Sequence, residues 1–120
     1  MDSYAGGIKT NYRFNEKQLD IADYKIKQLM SLVSTLYAED FQELMYIYEL
    51  KERLTVCRSV IAHLKARKET RWHSFAENLD YPNKDEKNFN KYVNSRLENG
   101  EIKIIIRDLV QGGKEYEHIN

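Results

Sequence analysis

The hydrophobic positions of this chain fall into two long stretches with helical spacing. In the first stretch, apolar residues recur at intervals of three and four: Leu19, Ala22, Ile26, Leu29, Val33 and Leu36. This spacing places them on one face of an amphipathic helix, which we expect over residues 16–37. Asn15 stands where an N-cap is needed, and Glu16 follows in the first turn, where the helix dipole favours an anion.

The second stretch continues the same periodicity after a short polar connection. Its apolar stripe consists of Leu44, Ile47, Leu50, Leu54, Cys57, Ile61 and Leu64. Asp40 is a candidate cap for this helix, which we expect to run to about residue 70. Two long stripes joined by a short connection predict an antiparallel helical hairpin. Because two helices cannot cover both apolar faces, a third element must pack on them.

The helical periodicity stops after Trp72, and Asp80-Tyr81-Pro82 indicates a turn because proline disfavours helix at the residue before it. Asp85 is a candidate cap for a short third helix, with Phe89, Tyr92 and Val93 on its inward side.

Near the C-terminal end the pattern changes to that of a hairpin. Asn99-Gly100 favours a two-residue turn with positive φ at both positions. Residues 101–107 after it are rich in isoleucine and begin with strand-like alternation. Residues 111–120, which begin with Gln111-Gly112-Gly113, are expected to fray.

Together these elements predict a mainly α fold. It would be a three-helix bundle, with two long antiparallel helices and a short third, followed by a C-terminal β-hairpin or extended tail. We expect a single domain with an irregular lead-in over residues 1–14, the helical bundle over 15–97, and the hairpin strand and frayed tail over 98–120.

Composition and charge restrict the function classes. The chain has 120 residues, enough for one modest domain, and its 19 basic residues balance its 19 acidic ones. Nucleic-acid binding draws on an excess of Lys and Arg, so we expect no nucleic-acid partner. No apolar run approaches the roughly 18 residues of a membrane span, and no signal peptide opens the chain. With Cys57 as the one cysteine, a disulfide within the chain is excluded, and a cytoplasmic location is expected.

No catalytic, cofactor-binding or metal-binding residue stands out. Gly6-Gly7 lacks the spacing of a dinucleotide-binding loop, and His63, His73 and His118 are too far apart to suggest a metal site. Cys57 lies on the apolar stripe and is expected to be a small buried hydrophobe. The nine tyrosines are expected to surround the bundle with buried rings and hydrated hydroxyls.

The most unusual segment is the basic and aromatic run over residues 67–73. It suits either a solvated helix end, whose cations complement the dipole, or an interaction edge, since Arg and Trp often anchor interfaces. Both interpretations stay open from composition alone.

The same run resembles a known family. Residues 66–72 are similar to the arginine-lysine-glutamate segment late in the flavoprotein subunits of fumarate reductase, succinate dehydrogenase and adenylylsulfate reductase. The similarity continues through Asp80-Tyr81-Pro82, Asp85-Glu86, Asn88-Phe89 and Lys91-Tyr92-Val93-Asn94-Ser95-Arg96. Trp72 and the Val93-Asn94-Ser95-Arg96 string make the chain resemble the adenylylsulfate reductase branch. In the succinate dehydrogenase branch, glycine and alanine usually follow the arginine.

The resemblance implies a C-terminal helical domain of an FAD-dependent oxidoreductase. In that family FAD is held by other domains, so it is expected in the parent protein and not in this chain. The expected partners are the flavin domain of the same parent chain and an iron–sulfur subunit. The resemblance assigns a docking role, which we place on Arg67, Lys68, Arg71, Trp72, Tyr81 and Arg96.

Two other function classes remain as alternatives. A helix followed by an Asn-Gly hairpin is also typical of a winged-helix nucleic-acid module. However, Asp85, Glu86, Glu98 and Glu101 make its would-be contact surface acidic. A free-standing helical adaptor that binds a partner helix in an open apolar groove is the other alternative.

Overall fold

The computed structural model describes residues 1–71 and 76–110. In chain order, a 3-10 turn at Ile8–Thr10 is followed by strand β1 (Arg13–Phe14) and by the two long helices α1 (Glu16–Val33) and α2 (Phe41–Ala66). The later elements are strand β2 (Glu77–Asn78), the short helix α3 (Glu86–Phe89) and the strands β3 (Lys91–Glu98) and β4 (Glu101–Asp108). Trp72, His73, His118 and the fraying predicted for residues 111–120 lie outside the described residues.

The predicted helix caps are confirmed. The Asn15 side chain accepts a hydrogen bond from the Gln18 N–H at 2.9 Å. The Asp40 carboxylate accepts one from the Glu43 N–H at 2.8 Å. Each cap satisfies a backbone donor that the first helical turn leaves free.

The long helices form the predicted antiparallel hairpin. Near the start of α1, Asp20 pairs with Lys65 at 2.5 Å, and near its end Met30 lies 3.9 Å from Arg58. Helix α1 ends at Val33, four residues before the predicted boundary. The hydroxyls of Ser34 and Thr35 explain this end, because they bond to the carbonyls of the preceding turn.

The third helix is shorter than predicted, and the placement of Tyr92 and Val93 in it was wrong. Asp85 caps α3 as expected, with its side chain bonded to the Asn88 N–H at 3.0 Å. The helix then ends at Phe89, and both residues belong to β3. A one-turn helix cannot supply the third layer of a bundle, so the prediction of a three-helix, mainly α bundle is confirmed only in part.

The hairpin β3–β4 takes the place of that third layer. It is antiparallel, with Glu98 opposite Glu101, and the predicted turn at Asn99-Gly100 is confirmed by φ values of 51° and 79°. One of its faces lies on α2, where the Ser59 and Ser95 hydroxyls are 3.2 Å apart. Arg58 holds the turn by donating to the Gly100 carbonyl at 3.0 Å.

The residues before α1 complete the core. Phe14 in β1, which pairs in parallel with β2, is 2% exposed, and Ala5 is 1% exposed. The fully buried apolar residues are Ala5, Phe14, Leu19, Ala22, Ile26, Val33, Leu54 and Ile61. This core is concentrated around α1 and the second half of α2. The first half of α2 is exposed apart from Ile47, which is half-buried.

Candidate docking surfaces

The predicted docking run is organised around a buried carboxylate. The side chain of Glu69 is fully buried directly after α2. Its carboxylate accepts hydrogen bonds from Arg67 Nη1 at 2.6 Å, from Arg71 Nε at 3.0 Å and Nη2 at 3.1 Å, and from the Asp85 N–H at 2.7 Å. We call these four residues the Glu69 cluster.

Arginines of the Glu69 cluster also reach the later part of the chain. Arg67 donates to the carbonyls of Phe89 at 2.7 Å and Lys91 at 2.8 Å. Arg71 donates to Glu86 at 3.0 Å and to the Phe89 carbonyl at 3.2 Å. The cluster therefore joins the end of α2 to α3 and to the start of β3.

The electrostatics of the cluster keep Glu69 ionised. Burial disfavours the charged form, but the Asp85 N–H and the two guanidinium groups outweigh it and hold the pKa of Glu69 below its ordinary value. Glu69 in turn raises the pKa of Arg71. The charge-assisted bonds give the segment a structural role that sequence reasoning did not find, because Asp85 and Phe89 lie far along the chain.

The other predicted docking residues are spread over the surface. Lys68 is exposed beside the cluster, and Tyr81 is 39% exposed in the turn that follows β2. The Tyr81 carbonyl accepts a bond from the Thr70 hydroxyl at 2.8 Å. Arg96 is exposed on the outer face of the hairpin, where it pairs with Glu98 at 2.9 Å. The structure thus brings Arg67, Lys68 and Arg71 together and leaves Tyr81 and Arg96 on separate elements.

A second surface lies at the far end of the helical hairpin. We call residues 29–50 the hairpin tip. Its exposed apolar side chains include Leu29 47%, Leu32 61%, Leu36 50%, Tyr37 82%, Phe41 77%, Leu44 38%, Met45 44%, Tyr46 58%, Tyr48 53% and Leu50 39%. Leu29, Leu36, Leu44 and Leu50, which belong to the predicted apolar stripes, are thus exposed and not part of the core. The expectation that tyrosine rings are buried was wrong for most of the described tyrosines.

The hairpin tip has a signal in the sequence that periodicity alone does not reveal. Residues 28–50 contain four carboxylates, at Glu39, Asp40, Glu43 and Glu49, and no Lys or Arg. In a chain with balanced charge overall, this segment is apolar and acidic. Contiguous exposed apolar patches of this kind mark interaction surfaces in soluble proteins.

The described residues contain no cluster of potential metal ligands. Within residues 1–71 and 76–110, no three His, Cys, Asp or Glu side chains come together as metal ligands. Cys57 packs against the core but is only half-buried, so the expectation that it is buried is confirmed in part. No described helix is long and apolar enough to cross a membrane.

Both the sequence and the fold are similar to parts of known oxidoreductases. The chain is 29% identical over 97 residues to the alpha subunit of adenylylsulfate reductase from Megalodesulfovibrio gigas. The aligned region covers 81% of this chain and 15% of that subunit. Two solved structures each match with a TM-score of 0.85 and 34% identity, over 92% of this chain and 18% of theirs. One is an adenosine-5-phosphosulfate reductase in complex with sulfite, and the other is the adenylylsulfate reductase of Archaeoglobus fulgidus.

These matches confirm the predicted resemblance. The chain has the sequence and fold of a C-terminal domain like that of adenylylsulfate reductase-like flavoproteins. It spans between 15% and 18% of the length of these relatives. No protein-family model matches the chain.

Proposed function

We propose that this chain is the structural and docking domain of an FAD-dependent oxidoreductase related to adenylylsulfate reductase. In this proposal the chain packs on the flavin domain of its parent protein and helps to position an iron–sulfur subunit. FAD is bound by the parent and not by the described residues, to which we assign no catalytic role. The similarity to the adenylylsulfate reductases and the exposed hairpin tip support the proposal.

The observation that carries the docking role is the hairpin tip. Aromatic side chains as exposed as Tyr37 at 82% and Phe41 at 77% gain little stability from the chain itself. Burying each of them against a partner would remove a large apolar area from water, at roughly 25 cal/mol per Å². A domain that spans a small part of its relatives is expected to carry such a surface, because the rest of the protein covers it.

The charge of the hairpin tip specifies the partner. Its apolar residues are bordered by Glu39, Asp40, Glu43 and Glu49, without a basic residue among them. We expect a complementary surface that is apolar at its centre and has Lys or Arg at its rim, since matched charges steer association and fix orientation. We assign this surface to the flavin domain.

The six residues predicted for docking stay part of the proposal with unequal weight. Arg67 and Arg71 already use most of their donors in bonds to Glu69, to Glu86 and to the carbonyls of Phe89 and Lys91. Lys68, Tyr81 and Arg96 keep more of their side chains available. We therefore expect these three to contribute to an iron–sulfur contact, and Arg67 and Arg71 to shape the edge beside it. Trp72 retains its predicted docking role.

The proposal can be tested by asking whether flavin accompanies the protein. The protein is purified through an affinity tag from its source cells, in whatever polypeptide or complex holds it, and released FAD is measured by fluorescence. We expect stoichiometric FAD and iron. Replacing Tyr37 and Phe41 together by Ser should reduce the retained FAD, because both side chains lie at the centre of the hairpin tip.

A matched control separates docking from general loss of apolar surface. Ile8 is 69% exposed, in the 3-10 turn before α1. Ile8→Ser should leave FAD retention unchanged. Equal retention in wild type and the Tyr37→Ser/Phe41→Ser variant, with both folded by circular dichroism, would contradict docking through the hairpin tip. Absence of FAD from the wild-type preparation would contradict the proposed function as a whole.

One observation favours the helical adaptor as a second candidate. An open groove of about 580 Å³ runs along α1 and is lined by Lys25, Gln28, Leu29, Ser31 and Leu32. An adaptor predicts that a helical peptide binds there without flavin. The winged-helix alternative is weakened, because α3 is a single turn that ends at Phe89, and Tyr92 and Val93, which were expected to continue it, belong to β3.

A further inference from the structure

The outer edge of β4 has the pattern of a surface that pairs with itself. Among the described residues, β4 forms a sheet with β3 only, so its other edge is unpaired there. The edge is eight residues long, and four of them, Ile102, Ile104, Ile105 and Ile106, are isoleucine. Long apolar edge strands tend to recruit another strand.

The turn determines which backbone groups face this edge. In a hairpin with a two-residue turn, the flanking pair Glu98 and Glu101 exchanges backbone hydrogen bonds. Alternate residues of β4 therefore bond to β3, and Ile102, Ile104 and Ile106 direct their N–H and C=O groups outward. On the opposite edge, the outward Lys91 carbonyl is already occupied by Arg67. The edge of β3 is therefore occupied at one end, whereas none of the described residues bonds to the outward backbone groups of Ile102, Ile104 and Ile106.

We propose that two copies of this chain associate by antiparallel pairing of their β4 strands, with Ile104 opposite Ile104 of the second copy. In this register Ile102 pairs with Ile106 of the second copy, and all three isoleucines meet with their outward backbone groups facing each other. Glu101 lies opposite Arg107 of the second copy at both ends of the seam. Lys103 lies opposite Ile105, so no like charges are opposed.

Neighbouring registers fail on charge. Shifting the pairing by two positions in one direction places Lys103 opposite Lys103 of the second copy. Shifting it in the other direction places Lys103 opposite Arg107. Opposed like charges destabilise a strand pair, whereas opposite charges stabilise it. Shifts by one position misalign the outward backbone groups. The charge pattern of the strand therefore favours this register with a second copy over the neighbouring registers.

The surroundings of the edge fit this arrangement. Ile104, Ile106 and Ser95 lie on the same side of the sheet, the side that faces α2. Ile106 is nevertheless 48% exposed. In the dimer it would pack beside Ile102 of the second copy. Next to Ile102 is an open cleft of about 160 Å³, lined by Ile61 and Ala62 together with the charged side chains of Asp23, Lys27, Arg58, Lys65 and Glu101.

The dimer is tested by sedimentation equilibrium of the 120-residue chain. We expect a reversible dimer. Arg107→Glu should raise the dissociation constant of the dimer roughly tenfold, because it places a glutamate opposite Glu101 of the other copy at each end of the seam. The double variant Glu101→Arg/Arg107→Glu should restore association, since it recreates both opposite-charge pairs. Lys9→Glu makes the same charge change in the exposed 3-10 turn before α1, outside the seam, and should leave the dissociation constant unchanged.

The register has an independent test by cross-linking. In a Cys57→Ser background, Ile104→Cys places two thiols opposite each other at a separation that a disulfide can bridge. Ile102→Cys and Ile106→Cys should each cross-link poorly alone and efficiently when mixed. A monomeric wild type, equal effects of Arg107→Glu and Lys9→Glu, or no disulfide at position 104 would each overturn the proposal.

This surface is separate from the hairpin tip. A dimer held by the tip would be weakened by Tyr37→Ser/Phe41→Ser and not by Arg107→Glu. Failure of the β4 dimer would leave the FAD test untouched, and the reverse also holds.

Discussion

Replacing Glu69 by Gln tests the structural role of the Glu69 cluster. The two side chains have almost the same shape, so the substitution removes the charge without opening a cavity. Glu69 is fully buried, and its two oxygens accept four N–H donors between 2.6 and 3.1 Å. In the variant one oxygen becomes an amide nitrogen, which faces these donors and cannot accept from them.

The expected loss can be bounded from the contacts. Removing one member of a buried ion pair costs about 3–5 kcal/mol when the remaining charge stays buried. The side chains of Arg67 and Arg71 are 27% and 30% exposed, so water can solvate them in part. We therefore expect Glu69→Gln to lower the free energy of unfolding by about 2–4 kcal/mol.

Urea unfolding, followed by far-ultraviolet circular dichroism, measures this loss. Glu86→Gln is the matched control, because it removes the same charge next to Arg71 from a side chain that is 53% exposed. The control should cost much less than Glu69→Gln, because solvent screens an exposed ion pair. If Glu69→Gln costs no more than Glu86→Gln, the cluster does not hold the segment in place and the reasoning is refuted.

The pH dependence provides a check on the sign. The folded pKa of Glu69 is lowered, so the unfolded chain binds the proton more tightly. The stabilisation is fully present above the unfolded pKa and is lost as the pH falls through the folded pKa. The gap in stability between wild type and Glu69→Gln should therefore narrow under acid. A gap that stays constant as the pH is lowered would contradict the assignment.

Three further predictions, which use five substitutions, test the core and the turns. Ile61→Ala should lower the free energy of unfolding by about 2–5 kcal/mol because Ile61 is 1% exposed, whereas Leu29→Ala, at a residue 47% exposed, should lower it by less than about 1 kcal/mol. Similar losses for both variants in urea unfolding would contradict the placement of Ile61 in the core and Leu29 outside it. Gly6→Ala should lower stability more than Gly100→Ala. Both glycines have positive φ, but a Cβ at Gly6 would lie 2.8 Å from Ala76 Cβ, whereas one at Gly100 would meet nothing within 4 Å. Equal shifts in melting temperature would count against the contact at Gly6. Asn99→Val should lower stability by about 1 kcal/mol because β-branched residues resist its φ of 51°, and an unchanged melting temperature would show that the turn tolerates it.

Short-range chemistry made much of this fold predictable from sequence. The caps at Asn15, Asp40 and Asp85 each bond to an N–H three residues further along. The turn at Asn99 depends on local φ preferences. These signals act within a few residues, so the helix starts and the hairpin turn could be assigned without knowledge of tertiary contacts.

Long-range contacts account for what the sequence did not reveal. Tyr92 and Val93 have helix-compatible spacing, but pairing with Arg107 and Ile106 places them in a strand. In the sequence, nothing distinguishes Glu69 from a solvent-exposed charged residue at a helix end. Its burial depends on the contacts with Arg67, Arg71 and Asp85, which form only in the folded chain. The exposure of Leu29 could not be predicted either. Apolar periodicity identifies a helix face that needs to be covered, but it does not say whether this chain or a partner covers it.

The most direct test of the central claim is the flavin content of the protein isolated from its source cells. The tagged wild-type protein and its Tyr37→Ser/Phe41→Ser and Ile8→Ser variants are purified in parallel, and FAD is measured per mole of protein. Our account predicts FAD with wild type and Ile8→Ser, and a clear loss with the hairpin-tip variant. A folded wild-type protein recovered without FAD would contradict its assignment to a flavin-dependent oxidoreductase.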